Sequence, residues 1–146
     1  MSEFRIDLRV RFAETDAMGV AHHAAYLPYL ETARVEYLRA LGHPYRELRE
    51  RDGIEFAVVG VDLRYHAPLR FDDAFTVTCA LVARARATFS LAYRAELGAQ
   101  LILSGRTRHA VLDRESGKPQ RLPAWLAALP VESGRVLPPE IPESTP

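Results

Sequence analysis

The chain has 146 residues, enough for one domain with a hydrophobic core. Its 19 basic and 19 acidic side chains balance, so no overall electrostatic field favours a nucleic-acid or membrane partner. No apolar run is long enough to span a bilayer, and we expect neither nucleic-acid binding nor membrane insertion. The single cysteine, Cys79, excludes an internal disulfide, and the amino terminus lacks the apolar stretch of a signal peptide. These features predict a cytoplasmic protein.

The amino-terminal part of the chain changes from strand spacing to helix spacing. Apolar and polar residues alternate over 4–12, which predicts a half-buried strand. Over 27–41 the apolar residues recur at intervals of three and four, which indicates an amphipathic helix. Pro28 fits this helix if it lies in the first turn, where a missing backbone N–H costs nothing. Gly42 followed by Pro44 predicts the end of the helix.

The remainder of the sequence predicts strands and no further long helix. A short helix or turn is expected over 45–51. Strand-like runs rich in β-branched and aromatic residues follow, with turn residues between them. They cover 54–66, 74–83, 87–97 and 101–112, and are followed by a possible short return strand at 118–122 and one or two helical turns at 124–129. We therefore predict one domain over 1–129 and a disordered, proline-rich tail over 130–146.

The order of these elements predicts the fold class. One strand, one long helix and a run of antiparallel strands are typical of an α+β layer fold. A single helix can cover only part of one sheet face. The uncovered apolar surface needs another partner, so we expect at least a dimer.

The segment that joins the first strand to the helix carries the candidate chemistry. Asp16 offers a carboxylate that could act as a nucleophile or as a general base. Gly19 marks a turn, and His23 stands close to the predicted start of the helix. Backbone N–H groups at a helix start could polarise a carbonyl oxygen. Because seven residues across a turn separate Asp16 from His23, we expect the two side chains to face one small pocket.

Simpler explanations exist for the same residues. An aspartate ahead of a glycine turn commonly caps that turn, and neighbouring histidines are commonly solvated. Asp16, His22 and His23 could also suggest a metal site. However, adjacent histidines tend to point apart, and no further ligand spacing supports such a site. We expect neither a metal ion nor a cofactor.

At this point a family resemblance becomes clear. Residues 15–26, TDAMGVAHHAAY, followed by Glu31-Thr-Ala-Arg34, resemble the active-site signature of hot-dog-fold acyl-CoA thioesterases. The most similar branches are the 4-hydroxybenzoyl-CoA thioesterases and the thioesterases associated with the Tol–Pal system. The segment 65–73, YHAPLRFDD, resembles the strand and turn that follow the helix in that family. The resemblance extends over about 4–123.

The resemblance implies a fold and an assembly. The fold is an antiparallel sheet of five or six strands wrapped around one long helix. The assembly is a homodimer or homotetramer, with active sites at the dimer interface and acyl-CoA entering between subunits.

The resemblance also implies roles for particular residues. Asp16 corresponds to the catalytic carboxylate, which is a nucleophile or a general base depending on the branch. Gly19, Val20 and the His23 backbone correspond to the turn and the donor that polarises the thioester carbonyl. In another branch a histidine at the position of His23 takes part through its side chain. Members with the Asp–His pair often carry a tyrosine four residues before the aspartate, whereas this chain has Phe12.

Four cations are candidate ligands for the phosphates of coenzyme A. Related enzymes hold the nucleotide near the corresponding turns, and arginine binds phosphate well. The alternative is that these side chains only solvate their turns. The four residues are Arg84, Arg86, Lys118 and Arg121.

The resulting functional hypothesis is hydrolysis of a short-chain or aromatic acyl-CoA to the free acid and coenzyme A. A non-catalytic acyl-CoA binding module is the alternative from another class. A hydratase or dehydratase of the same fold is less consistent with the sequence. That chemistry needs a histidine with a carboxylate inside the central helix, and this helix interior offers Glu31 and Glu36 but no histidine.

Overall fold

The computed structural model describes residues 3–132. Within this range the elements follow the predicted order, with ends shifted by a few residues. They are β1 (Glu3–Arg9), a 3-10 turn (Phe12–Glu14), α1 (His23–Ala40), α2 (Tyr45–Glu50), β2 (Ile54–Tyr65), β3 (Ala74–Arg84), β4 (Thr88–Leu97), β5 (Gln100–Asp113) and α3 (Ala124–Ala127). The return strand predicted at 118–122 is wrong, because that segment forms only an isolated bridge between Leu112 and Pro119. Most of the predicted tail, 133–146, lies outside the described residues.

The five strands form one antiparallel sheet in the order β1-β3-β4-β5-β2. Helix α1 lies across one face, which we call the inner face, and contacts β1 and β3. The predicted α+β class, with one long helix on an antiparallel sheet, is confirmed.

Helix α1 forms because its apolar side chains recur on one side of the cylinder. Its buried residues are Ala25, Tyr26, Tyr29, Leu30, Ala33, Tyr37 and Leu38. All of these except Leu38 join the main hydrophobic core with the inner-face residues of the strands. Pro28 departs from the expected position, because the helix already begins at His23 and the proline therefore lies beyond the first turn. The carbonyl that loses its partner belongs to Ala24, which is exposed, so water can satisfy it.

Strand β2 occupies an edge of the sheet, so one of its sides has no neighbouring strand among the described residues. A bulge interrupts its pairing with β5 between Val58 and Gly60. Val58, Val59 and Val61 are 46%, 56% and 47% exposed. An apolar edge of this length is a ready template for pairing with another chain.

The sheet has two ends that serve different purposes. At one end, where β2 finishes and β3 begins, the chain between β1 and α1 folds over the strands; we call this the loop end. At the other, where β2 begins and β3 finishes, lie α2 and α3; we call this the far end. The 11 residues of β3 separate the ends by about 33 Å. None of the helices within residues 3–132 has the length and apolar character needed to cross a membrane.

Candidate active site

Asp16 lies on a tight hairpin at the loop end. Its N–H donates to the Val20 carbonyl at 2.9 Å, and the Gly19 N–H donates to the Asp16 carbonyl at 2.9 Å. Gly19 adopts φ 77°, a left-handed conformation that glycine accepts without steric cost. The Oδ1 atom of Asp16 accepts a hydrogen bond from the Met18 N–H at 2.8 Å. The carboxylate therefore does cap its own turn, and this bond also fixes its orientation.

The start of α1 lies next to this hairpin. A bridge between Thr15 and Ala21 closes the hairpin, and the His22 N–H donates to the Glu14 carbonyl at 3.0 Å. His22 is the N-cap residue, and its side chain makes no capping hydrogen bond. His23 is the first helical residue, and its N–H has no hydrogen-bond partner within residues 3–132. An uncapped helix start presents N–H groups and the positive end of the helix dipole to a ligand.

The backbone groups predicted to polarise the thioester carbonyl differ in whether they are already used within the turn. The Gly19 N–H is already used inside the turn, so this residue shapes the hairpin rather than facing a substrate. Val20 bridges to Arg70 and fixes the hairpin on the connection between β2 and β3. Of the predicted oxyanion group, the His23 N–H lies at the uncapped helix start and has no hydrogen-bond partner within residues 3–132.

The His23 imidazole packs against a ring from another strand. Its centroid lies 4.9 Å from that of Tyr65, at the end of β2, and the Tyr65 ring lies 5.2 Å from Tyr26. No hydrogen bond or ion pair joins Asp16 to His23 among the described residues. Any cooperation between these two side chains must therefore pass through a water molecule or the substrate. Sequence reasoning missed Tyr65, which brings a phenol to the loop end where Phe12 lacks one.

Glu14 is a buried anchor that sequence reasoning also missed. Its carboxylate accepts hydrogen bonds from the Arg11 N–H and the Tyr29 hydroxyl, both at 2.8 Å. Burial opposes ionisation, but these bonds and the charge of Arg11 together lower the pKa of Glu14. The same contact to Glu14, added to burial, raises the pKa of Tyr29. This charged group ties the loop between β1 and α1 to the helix.

Exposed apolar side chains surround the hairpin. Phe12 and Met18 are 75% and 78% exposed, and the Phe12 ring contacts Phe71 edge-on at 5.6 Å. Exposed apolar side chains of this kind favour contact with an apolar partner over contact with water. The loop end therefore combines a carboxylate, free backbone donors and an apolar rim.

The four candidate coenzyme A ligands lie elsewhere. Arg84 ends β3, and Arg86 lies in the turn before β4. The Leu122 N–H bonds to the Arg86 carbonyl, and the Asp113 N–H bonds to the Lys118 carbonyl, which brings Lys118 and Arg121 to the same region. All four side chains are exposed at the far end. They cannot reach Asp16 of their own protomer.

The far end also holds a cavity of about 210 Å³ between α1, the inner face and α3. Its lining is mainly leucine and phenylalanine, and its polar or charged residues are Glu31, Arg34, Tyr37, Tyr45 and His109. Neither Asp16 nor His23 borders it. Within residues 3–132 no group of three His, Cys, Asp or Glu side chains could hold a metal ion.

Comparison with known proteins identifies the family. The sequence matches the thioesterase-like superfamily over residues 10–129, most of the chain. The chain belongs to this superfamily. The hot-dog fold and the thioester hydrolase class predicted from the sequence are thereby confirmed.

Three similar proteins illustrate the match. The acyl-CoA thioesterase YbgC of Haemophilus influenzae is 30% identical over 125 residues, covering 86% of this chain and 92% of YbgC. A hypothetical protein from Thermus thermophilus of known structure is 36% identical and superimposes with a TM-score of 0.82, covering 89% of this chain and 99% of that one. The DHNA-CoA thioesterase of Staphylococcus aureus is 26% identical, with a TM-score of 0.78 and coverage of 83% and 81%.

Proposed function

We propose that this protein hydrolyses the thioester bond of a short-chain or aromatic acyl-CoA, giving the free acid and coenzyme A. The observation that carries the proposal is the Asp16 carboxylate held beside the uncapped start of α1. Thioester hydrolysis needs a nucleophile at the carbonyl carbon and a donor at the developing oxyanion. Asp16 supplies the first directly or through water, and the His23 N–H supplies the second. An oxyanion donor in such a position contributes about 3 kcal/mol to the transition state.

The Asp16 carboxylate can act by either of two routes. The Met18 N–H occupies Oδ1, which leaves Oδ2 as the oxygen to act on a substrate or a water molecule. As a general base, Asp16 takes a proton from water while that water attacks the carbonyl carbon and the thiolate of coenzyme A leaves. As a nucleophile, it forms an acyl–aspartate anhydride with loss of the thiolate, and water then cleaves the anhydride. Unlabelled acid formed in a single turnover in ¹⁸O-water would identify the nucleophilic route.

The working unit in this proposal is a homodimer joined through β2. The exposed valines favour association with an apolar partner at this edge. A second copy of the same strand would pair with it over its full length and cover these side chains. A two-fold axis normal to the sheet makes the two β2 strands antiparallel and keeps both α1 helices on one side. Further pairing of dimers into a homotetramer stays a prediction, and sedimentation equilibrium distinguishes the two assemblies.

The antiparallel arrangement explains why the cations lie far from Asp16. It places the far end of one protomer beside the loop end of its partner. Arg84, Arg86, Lys118 and Arg121 would then bind the phosphates of a coenzyme A molecule whose thioester lies at the partner's Asp16. The acyl-CoA substrate is in this way shared between two subunits.

We assign the reaction to the cytoplasm. The buried Cys79 thiol has no disulfide partner, which suits a reducing compartment. Cell fractionation followed by immunoblotting tests this assignment.

A thiol-release assay tests the proposed function. The purified chain is mixed with acyl-CoAs that differ in chain length and aromaticity, and the free thiol is measured with a chromogenic disulfide. We expect release with at least one short-chain or aromatic substrate. Binding of acyl-CoA without thiol release would show a binding module instead. Loss of enoyl-thioester absorbance without thiol release would show a hydratase.

A further inference from the structure

The His23 imidazole is exposed at the start of α1 and has few contacts that fix its orientation. Within residues 3–132 it forms no hydrogen bond and no ion pair. Its ring contact in the same range is with Tyr65, at a centroid distance of 4.9 Å and an interplanar angle of 36°. An exposed side chain without partners exchanges between staggered rotamers. The Tyr65 ring is therefore the group that restricts the orientation of the imidazole.

The Tyr65 ring is itself held by the core. It contacts Tyr26 at a centroid distance of 5.2 Å, Tyr26 contacts Tyr29 edge-on at 5.9 Å, and Tyr29 contacts Phe75 at 4.9 Å. Tyr26, Tyr29 and Phe75 are buried. Aromatic pairs at such distances attract one another beyond the effect of the area that they bury. A continuous row of rings thus connects the buried core to the exposed imidazole, and Tyr65 is the ring next to His23.

The end of β2 fixes the backbone that carries the Tyr65 ring. The N–H of the next residue, His66, donates to the Ile102 carbonyl at 2.8 Å. The His66 Nε2 atom lies 2.7 Å from the hydroxyl oxygen of Ser104, which is completely buried. This hydrogen bond is costly to break, because the buried hydroxyl would lose that partner without gaining water. Tyr65 is thus held through its backbone on the sheet as well as through the rings on α1.

We propose that Tyr65 is a positioning residue, whose ring orients the His23 imidazole so that the imidazole can hold a water molecule for Asp16. The inference rests on the proposed thioesterase function. The contact joins the two rings and leaves both imidazole nitrogens without a hydrogen bond inside the described part of the chain. One nitrogen is then available to a water molecule between His23 and Asp16. Fixing the direction of that nitrogen in advance lowers the entropy cost of reaching the transition state.

Two substitutions separate the ring of Tyr65 from its hydroxyl. Tyr65→Phe keeps the ring and should keep the wild-type kcat. Tyr65→Leu removes the ring, and kcat should fall about three- to tenfold, the effect of leaving one side chain unordered. Thiol release at saturating acyl-CoA measures both values. A fall in Tyr65→Phe as large as that in Tyr65→Leu would overturn the proposal, because it would assign the effect to the hydroxyl.

A double-mutant cycle tests whether Tyr65 acts through His23. If it does, the Tyr65 ring has nothing to orient once the imidazole is gone, so adding Tyr65→Leu to His23→Ala should leave kcat unchanged. A purely structural effect of Tyr65 would lower kcat by the same factor in both backgrounds. Equal factors would therefore overturn the proposal.

The ring contact can also be tested without turnover. The ring current of Tyr65 displaces the ¹H resonances of the His23 ring, which are assigned by their loss in His23→Ala. At one fixed pH, we expect Tyr65→Phe to preserve these displacements and Tyr65→Leu to abolish them. His23 resonances that are the same in Tyr65→Leu and in the wild type would overturn the proposal.

Phe4→Leu is the matched control for losing an aromatic contact between a strand and α1. Phe4 on β1 stacks on Tyr37 of α1 at a centroid distance of 5.8 Å. This variant should keep the wild-type kcat and the wild-type His23 resonances. Circular dichroism and sedimentation verify that each variant keeps its fold and its assembly. A loss of kcat in Phe4→Leu as large as that in Tyr65→Leu would overturn the proposal, because any loss of packing on α1 would then lower turnover.

The possible failures are distinguishable. Wild-type turnover by Tyr65→Leu or by His23→Ala would overturn the positioning proposal and leave the thioesterase proposal intact. Absence of thiol release from every acyl-CoA would overturn both proposals.

Discussion

The loop end and the far end of the sheet differ in how their polar groups are buried and hydrogen-bonded. At the loop end polar groups are held in place but left partly unused: Asp16 uses one oxygen on its turn, and the start of α1 has no side-chain cap. At the far end the four candidate cations are exposed, and in the core beside them His109 Nδ1 is the one buried side-chain nitrogen or oxygen within residues 3–132 that has no hydrogen-bond partner. In the proposed function the first end carries the reacting groups and the second binds the coenzyme A moiety. In the proposed dimer a single protomer would therefore hold the two halves of different sites.

The largest expected effect comes from removing the charge at the loop end. Asp16→Asn keeps the size of the side chain and its bond to Met18, but it removes the basicity. Turnover should fall roughly 100- to 10,000-fold, the range supplied by a positioned acid–base group. Thiol release under substrate saturation measures the change. Glu50→Gln, which removes a carboxylate on exposed α2, is the matched control and should keep its activity. A loss below tenfold for Asp16→Asn would mean that Asp16 only shapes the hairpin.

The next effect separates the His23 side chain from its backbone. His23→Ala keeps the N–H at the helix start and removes the imidazole that packs on Tyr65. If the ring positions water for Asp16, turnover should fall about 10- to 1,000-fold. His22→Ala, one residue earlier, controls for disturbance of the helix start. Near-normal activity of His23→Ala would show that the His23 side chain is not needed, and that Asp16 and the backbone N–H are the groups that catalyse the reaction.

Mixing two inactive variants tests whether the two ends work across the interface. Asp16→Asn disables the loop end, and alanine substitution of Arg84, Arg86, Lys118 and Arg121 disables the proposed coenzyme A site at the far end. A mixed dimer contains one site in which both halves are intact. Random exchange after mild dissociation should therefore restore about one quarter of wild-type activity, because half the dimers are mixed and each has one good site. Activity that stays at the level of the separate variants would show that each protomer works alone.

The sequence predicted the two ends unequally well. Strand alternation and helix spacing are local, so the order and type of the elements could be predicted within a few residues. The Asp16–Gly19 turn was equally accessible, because an aspartate and a glycine at those positions determine it. Pro28 was placed wrongly because the sequence contains no N-cap signal at His22, and the helix begins earlier than its apolar stripe.

The features that could not be predicted from the sequence are those that depend on contacts between residues far apart in the chain. The bond between Glu14 and Tyr29 joins residues 15 positions apart, and alternation alone gives no reason to bury a glutamate. The buried hydrogen bonds from Tyr93 through Thr107 to His109 join β4 to β5 and follow only from the strand register. Arg84 and Arg86 were predicted as phosphate ligands, but their distance from Asp16 required the topology of the sheet. Distant pairing, rather than local propensity, determines what each end can do.

The smallest expected effect concerns how the loop end is held. Glu14→Gln keeps the shape and one acceptor but removes the charge that faces Arg11, at a cost of about 1–3 kcal/mol in the free energy of unfolding. Because the folded-state pKa of Glu14 is lowered, its charge stabilises the native state above the unfolded-state pKa. This contribution is lost as the pH falls through the folded-state pKa.

Urea unfolding of the wild type and of Glu14→Gln should therefore differ most at neutral pH and converge on acidification. Glu36→Gln, which breaks the surface ion pair with Arg39, is the control and should change stability by less than about 1 kcal/mol at any pH. A constant difference between Glu14→Gln and the wild type from neutral to acidic pH would show that packing, rather than charge, anchors the loop between β1 and α1. In that case the loop end, like the core around the far-end cavity, would be stabilised by packing and not by a buried charge.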